Sequence, residues 1–474
     1  MTRNQRQDAG IGMLQGSAAD FVEEGRRARQ RRPRRSFSNW EVPQNRADPI
    51  EVLSRQGEHR VQDLLPIRYG RMAESAFAFY RGAAAIMAAD VGEDVSTKIT
   101  VQLCGDAHVS NFGIFSAPNR SLVFDCNDFD ETLPGPWEWD LMRLVASIAV
   151  AGRSLGLSEA KRHAVLTSTV LRYRQAVLDF SRMSSLSVWY AHMDAGNALK
   201  QWAAKKGKRK AQLATTITRK ASTKDSLRAF SKMAEMADGT ARFRSAPPLL
   251  VPASELMTSF SPEQINEGLQ EAFRRYRRTL ATDRRHLLDS YRVTDAARRV
   301  VGVGSVGTVA WIALLIGPGS EDPLILQIKE ATASVLEPYA KKSTFSSEGR
   351  RVVEGQRLMQ AQSDVLLGWE QMDGPWGGVR DFYVRQLWDG KYSADIDAMS
   401  AADLKEYAGF CAWTLARAHC RSGNRFTLAG YVGSGTVLDS ALAVFAERYA
   451  DQNEQDFKKL TSAIAAGNLP SRVV

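Results

Sequence analysis

The sequence predicts an α+β protein of two lobes, one large and mainly helical, the other small and rich in strands. Three observations carry this. The 474 residues exceed what a single core usually organises, and the 44% hydrophobic content is that of a globular chain. Apolar residues recur at helical spacing over most of 48–296 and again from Ser400. Between about Arg298 and Asp389 the texture switches to short apolar runs bounded by Gly and Pro. The expected division is a basic, disordered arm over 1–45, a helical lobe over 46–296, a β-rich lobe over 297–390 and a helical return over 391–474.

Taken in order, residues 1–45 are polar, Arg-rich and poor in large apolar side chains, which predicts a loose arm. RMAESAFAFYRGAAAIMAAD has the apolar spacing of one or two helices. TKITVQLCG and SLVFDCND have strand texture, and a polar turn separates them. After a PGP break, WEWDLMRLVASIAVAGRSLG predicts a helix with Asp140 near its start and Gly156 past its end. Residues 158–296 are expected to be almost wholly helical. Within them, Ser261 and Gln264 flank Pro262 as a capping box opening a long charged helix. The β-rich part then comprises VVGVGSVGTVAWIALL, LILQIKEA, DVLLGW and RDFYVRQLW, interrupted by the amphipathic SSEGRRVVEGQRLMQAQ. LKEYAGFCAWTLARAHCRSG and the closing ALAVFAERYADQNEQDFKKLTSAI return to helix.

The net charge of +10 is local. Residues 26–35 hold seven Arg and no acid, and residues 200–232 hold eleven Lys or Arg against Asp225 alone, so the remainder is net acidic. Composition therefore argues against nucleic acid as a partner, except through those two basic segments. The stretch KKGKRK within the second segment has the composition of a solvated loop. Four cysteines form no CxxC pair, which points to a reducing compartment and a cytoplasmic location. The N-terminus lacks the apolar core of a signal peptide. The uncharged run 300–317 has marginal membrane-span length, but its glycines and the apolar run after GPGSEDP predict a hairpin instead.

The chemistry concentrates in CGDAHVSNFG, residues 104–113, and FDCNDFDETLPGPWEWD, residues 124–140. Asp106 and Asn111 stand five residues apart after a strand, and an acidic strand end follows closely. One reading is a polar turn bonding its own backbone. The other is a magnesium–phosphate site. A transferring phosphoryl group is highly negative, and hard Mg2+ selects carboxylate and amide oxygens. In that reading a second carboxylate must arrive from a neighbouring strand, and Asp128 is the leading candidate, with Asp125 and Asp130 behind it. GVGSVGT supplies Gly302, Gly304, Ser305 and Gly307, whose backbone can close over phosphates in a strand–turn–strand hairpin. A dinucleotide-binding unit would need a helix directly after these glycines, and TVAWIALLIGPG is too short and too β-branched. Lys329 is a lone charge in an apolar strand. It either reaches water at a strand edge or holds phosphates, with Glu354, or else Glu348, as its partner.

These pieces resemble a protein-kinase-like phosphotransferase, and within that superfamily the aminoglycoside and choline phosphotransferase branch. That branch reads HGDxHxxN, matched here by CGDAHVSN with Cys104 in place of the leading His. Its IDF…DL pattern is matched by NDFDETLPGPWEWDL. The resemblance implies a catalytic Asp106, magnesium ligands Asn111 and Asp128, a supporting His108 and a structural brace at Asp140. The glycine turn and lysine normally precede the catalytic loop, yet here they follow it. LKEYAGFCAWTLARAHCRSG resembles the helix that usually runs into that loop, so the resemblance implies a circular permutation. The hinge would be RDFYVRQLWDG, with the backbone around Gln386, Leu387 and Trp388 meeting adenine. From about Asp48 to Ile464 the chain is also similar to a bacterial family described as a domain of unknown function. The shared phrases include PIRYGRM, NDFDETLPGPWEWD and VGVGSVGT.

Arg68, Arg71 and Arg81 lie among apolar residues and either clamp an anion or pair with local carboxylates. The expectation is a phosphotransferase using Mg2+ or Mn2+ and ATP or GTP, with an unidentified hydroxyl-bearing acceptor; nucleotidyl transfer uses the same parts. The competing readings are a non-catalytic nucleotide-binding regulator and a metal-dependent phosphoesterase, the latter suggested by GDAH.

Overall fold

A computed structural model of the chain describes residues 16–206, 208–300, 302, 304, 306–319, 322–373 and 378–473. The strands are β1 (Thr100–Leu103), β2 (Phe112–Ser116), β3 (Leu122–Cys126), β4 (Leu133–Pro136), β5 (Met193–Asp194), β6 (Ala234–Ala237) and β7 (Thr240–Phe243). They continue with β8 (Leu250–Pro252), β9 (Arg292–Arg299), β10 (Ala310–Ile316), β11 (Pro323–Ala331), β12 (Gly368–Asp373) and β13 (Val379–Gln386). Six form one antiparallel sheet in the order β12–β13–β11–β10–β9–β8. Small sheets β1–β4 and β2–β3–β5 lie among the helices, so the chain is α+β as expected.

The helical part is built around Trp137–Ser154, whose residues are buried from Trp137 through Gly152. Such all-round burial suits the continuous apolar run LVASIAVAG. Helices Glu159–Ser181, Ala401–Ser422 and Val437–Ala465 surround it, and the Trp137 ring stacks on Tyr173 at 5.6 Å. Ser261 and Gln264 form the expected capping box, with Pro262 in the first turn. Helix Glu348–Met359 lies between β11 and β12 in sequence and packs on β12 and β13.

The loose arm is corrected where it is described. Residues Ala18–Arg31 form a helix with a Ser17–Asp20 capping box, and Ala28 and Phe37 are fully buried. The arginines are structural ligands. Arg29 donates to the Gly430 and Tyr431 carbonyls at 2.5 and 2.8 Å, and Arg34 to the Val432 carbonyl at 2.7 Å. These carbonyls close the helix Arg425–Val432, where the last turn has no partners of its own. Arg32, 3% exposed, pairs with Asp94 at 2.6 Å. A basic run thus ties the beginning of the chain to its end, and these arginines are engaged within the protein rather than free for nucleic acid.

The boundary at 296/297 is also corrected. β6, β7 and β8 fall inside the stretch expected to be helical, and β9 begins at Arg292. Ala229, Met233 and Phe243 pack with Ile312 and Leu314, while Tyr276 and Leu280 pack with Leu326 and Val384. Strands of three or four residues are too short to display period-two alternation against a helical background. DVLLGW becomes strand only at Gly368, because the Asp364 carboxylate caps a turn by accepting the Leu366 amide at 2.8 Å. No single helix among the described residues is long and apolar enough to cross a membrane.

Candidate functional site

β1 delivers the chain into a turn that only glycine can make. Gly105 has φ +87°, and a Cβ there would lie 2.1 Å from the Glu131 carbonyl. The Cys104 and Gly105 amides donate to the Asp140 carboxylate at 2.7 and 3.0 Å, and His419 Nε2 approaches the same group at 3.2 Å. Asp140 sits in the first turn of its helix, where a carboxylate is favoured. It braces the loop without facing the cleft. Asn111 Nδ2 donates to the Asp106 and Asp128 carbonyls, each at 3.0 Å, tying the two acidic loops together and leaving its Oδ1 available. Cys104 lies beneath them with its thiol hydrogen-bonded to the Asp128 carbonyl at 3.3 Å.

Asp106 accepts from Arg143 Nε at 2.7 Å, and its other oxygen lies 3.8 Å from His108 Nε2. Burial disfavours the Arg143 charge, but Asp106 outweighs it and raises the pKa. His108 is pushed down to about 4, chiefly by burial, so the ring is neutral near pH 7. Lys329 is 2% exposed; its Nζ donates to Asp130 at 2.6 Å and to Asp128 at 3.4 Å. Tyr383, paired with Lys329 across β11 and β13, donates to the other Asp130 oxygen at 2.6 Å. Burial works to raise Asp128, but Lys329 and then Arg385 hold it well below the usual carboxylate range. Burial and the Asp128 charge push Asp130 up.

The glycine turn between β9 and β10 faces this group. Arg71 donates to the Gly302 carbonyl at 2.6 Å, Arg60 to those of Gly304 and Val306 at 2.9 and 2.6 Å, and the Val61 amide to Gly307 at 2.7 Å. Gly302 and Gly304 thereby share a polar cleft of about 200 Å³ with Asp106, Asn111, Asp128 and Asp130. His108 and Arg81 also line it. A larger cavity of about 440 Å³ exists elsewhere, but its lining is almost wholly apolar. The polar cleft is the candidate site because the convergent titratable groups are there.

Several expected residues stand apart. Ser305 lies outside the described residues. Glu354 pairs with Arg357 at 3.5 Å and Glu348 with Arg351 at 2.5 Å, so neither partners Lys329. The acidic β3–β4 loop reaches the lysine first. The Gln386 amide already donates to Asp364 at 2.6 Å and the Leu387 amide to the Ile325 carbonyl at 3.0 Å, so neither is free for adenine. Asp125 is buried against Arg417 at 2.5 Å and is not a cleft ligand. Arg68 is fully buried behind the cleft, bonded to Gln56 and the Gly82 carbonyl at 3.1 and 3.3 Å. Arg68 and Arg71 bond neutral oxygens, not the local carboxylates expected as their alternative.

Residues missed at the sequence level are Arg143, Arg60, Glu131, Tyr383, Arg385 and Lys391. Arg143 carries the same signal as Lys329, a lone cation in an apolar run. Lys391, on the segment after β13, lines the cleft and is pushed down to about 7, first by burial and then by Arg385. Glu131 also lines it, accepts the Val335 amide at 2.8 Å and is pushed up to about 7, chiefly by burial. The unfolded chain ionises Glu131 first, near 4.5, so this group makes stability decline from about pH 4.5 to about 7. Glu131→Gln keeps an acceptor for Val335 and is expected to remove that decline. Urea unfolding of both proteins at about pH 5 and about pH 7.5 checks this.

No group of three or more His, Cys, Asp or Glu side chains among the described residues is arranged to hold a metal ion. The cleft still fits magnesium, which is commonly held by one or two carboxylates with phosphates and water completing its shell. Asp128, 40% exposed, and Asp130, 28% exposed, present hard oxygens to the cleft beside Asn111 Oδ1.

A family model described as an uncharacterized protein conserved in bacteria, DUF2252, matches residues 60–463. The chain belongs to that family. No curated protein and no solved structure matches it.

Proposed function

We propose that this family member is a magnesium- and nucleotide-dependent phosphotransferase of protein-kinase-like, circularly permuted architecture. The observation that carries the proposal is the meeting of Asp106, Asn111 and Asp128 in one cleft with Gly302 and Gly304, together with the contact of Asp128 and Asp130 with the buried Lys329; the glycines and the lysine lie some two hundred residues later in the chain. The order within the sheet supports it too. The glycine turn joins the first two strands of the β9–β10–β11 meander, Lys329 is on the third, and a helix follows, as in kinase small lobes. The end of helix Ala401–Ser422 lies against β1, where Ser422 Oγ accepts the Gln102 amide at 3.2 Å. A helix that normally runs into the catalytic loop would end there, and this favours the permutation.

In this reading Asp106 orients the acceptor hydroxyl and takes its proton through the oxygen not bonded to Arg143. Arg143 fixes the direction of that carboxylate. Asn111 and Asp128 would hold Mg2+, with Asp130 beside them, and the ion supplies charge neutralisation at the phosphates. Lys329 and the Gly302–Gly304 backbone bind phosphate oxygens, which requires the lysine to exchange carboxylates for phosphate. One observation favours a non-catalytic nucleotide-binding regulator: Arg143 already occupies one oxygen of Asp106 at 2.7 Å.

The test is thermal unfolding and nucleotide turnover of the purified chain with ATP or GTP, with and without Mg2+. The reading expects a magnesium-dependent stabilisation and a slow nucleotide consumption that EDTA abolishes. Binding without turnover would favour the regulator. No stabilisation by either nucleotide would remove the proposal.

A further inference from the structure

A second cavity lies on the opposite face of the six-stranded sheet from Lys329. Register and alternation set this face. Trp311, Ile328 and Val384 are one position out of step with Lys329 and Tyr383, and so point the other way. Helix Pro262–Arg278 lies over them and presents Leu269, Ala272 and Phe273, leaving a space of about 440 Å³. Phe260, 45% exposed, stands among its lining residues at the solvent side.

The cavity has one feature that a packing void does not need. Glu370 of β12 lines it, is 3% exposed, and has no hydrogen-bond partner for either carboxyl oxygen among the described residues. Phe382 stands directly across from it on β13. Arg275, which bonds Glu271 at 2.9 Å on the outer side of the helix, Arg278 and Glu271 are the charges that act on it. Burial dominates these, and the carboxyl is pushed up to about 8. A buried carboxyl of this kind rejects an anion, accepts one hydrogen bond from an alcohol, and gains an ion pair from an ammonium group.

We propose that this cavity binds a small amphiphilic amine, its alkyl or aromatic body against the apolar lining and its ammonium group on Glu370. The site is separate from the polar cleft, and its occupancy does not depend on the phosphotransferase reading.

The experiment is calorimetric titration of the full chain with n-octylamine, n-octanol and octanoate as probes. Octylamine is expected to bind one to one and about tenfold or more tighter than octanol, the margin of a charge-assisted over a neutral hydrogen bond, with octanoate weakest. In Glu370→Gln the amine and alcohol are expected to bind within about twofold of each other, because the charged partner is gone while the apolar wall remains. Gly268→Phe supplies an independent check. Gly268 lines the cavity, and a Cβ there meets nothing within 4 Å, so a ring would fill the space without displacing backbone. That variant is expected to keep its unfolding transition and to lose both amine and alcohol binding. Three outcomes overturn the proposal: no binding of either probe to wild type, equal binding of the two, or an amine preference that survives in Glu370→Gln. If Glu370→Gln does not fold, undiminished octylamine binding in folded Gly268→Phe overturns it equally.

Discussion

Replacing Asp106 with alanine is expected to lower magnesium- and nucleotide-dependent phosphoryl transfer by about 10³-fold, the usual scale for losing a positioned general base. Nucleotide binding is expected to survive, because Lys329, Asp128 and the glycine turn remain. The substitution also deprives Arg143 of its carboxylate, 2.7 Å away, leaving a nearly buried guanidinium with the Tyr80 carbonyl and ring. Some loss of stability will follow, and activity alone could confuse the two effects. Asp106→Asn separates them: its amide oxygen still accepts from Arg143 Nε, but it cannot take a proton. Both variants should lose turnover, with Asp106→Asn the more stable of the two and both still stabilised by the magnesium–nucleotide complex. Turnover within about tenfold of wild type in Asp106→Asn would take Asp106 out of the reaction.

The second large effect is on binding. In wild type, nucleotide at about 100 times its dissociation constant adds roughly 2.7 kcal/mol of stability. Lys329→Ala is expected to erase that increment, since it removes the phosphate-binding ammonium. It also leaves Asp128 and Asp130 facing each other without the charge that both now use. The unliganded protein should therefore lose about 1–3 kcal/mol, below the range for breaking a fully buried pair because both carboxylates face the cleft and are partly hydrated. Glu354→Ala is the control. Its carboxylate pairs with Arg357 and not with Lys329, so the nucleotide increment should be unchanged. Thermal unfolding of the three proteins with and without the magnesium–nucleotide complex reads both effects. A wild-type-sized increment in Lys329→Ala would separate the lysine from the site.

Much of the candidate site was legible because its chemistry is carried by local spacing. A strand, a Gly with positive φ, and Asp106, His108 and Asn111 within one turn form a unit whose geometry depends on a few dihedral angles. Lys329 stood out for a similar reason, since an ammonium in an apolar strand demands a partner. What could not be read was the identity of that partner. Glu354 lies on the next helix in sequence, but Asp128 and Asp130 approach from a loop two hundred residues away. Arg143 carries the same signal as Lys329, yet nothing nearby in sequence says which carboxylate it meets.

The basic arm shows the same division from the other side. Composition alone predicts a solvated tail for RRARQRRPRR, yet Arg29 and Arg34 find helix-end carbonyls near residue 430 and Phe37 finds a core. By itself the sequence determined most helices from Asp48 onward, the strands β10, β11 and β13, the α+β class and the residue types available for chemistry. Each of these depends on interactions within a few turns of chain. The tertiary structure decided which charges pair, where the short strands join the sheet, and that the glycine turn faces Asp106. Those depend on which distant segments share a space, and a charge or carbonyl accepts whichever partner the packing brings within reach.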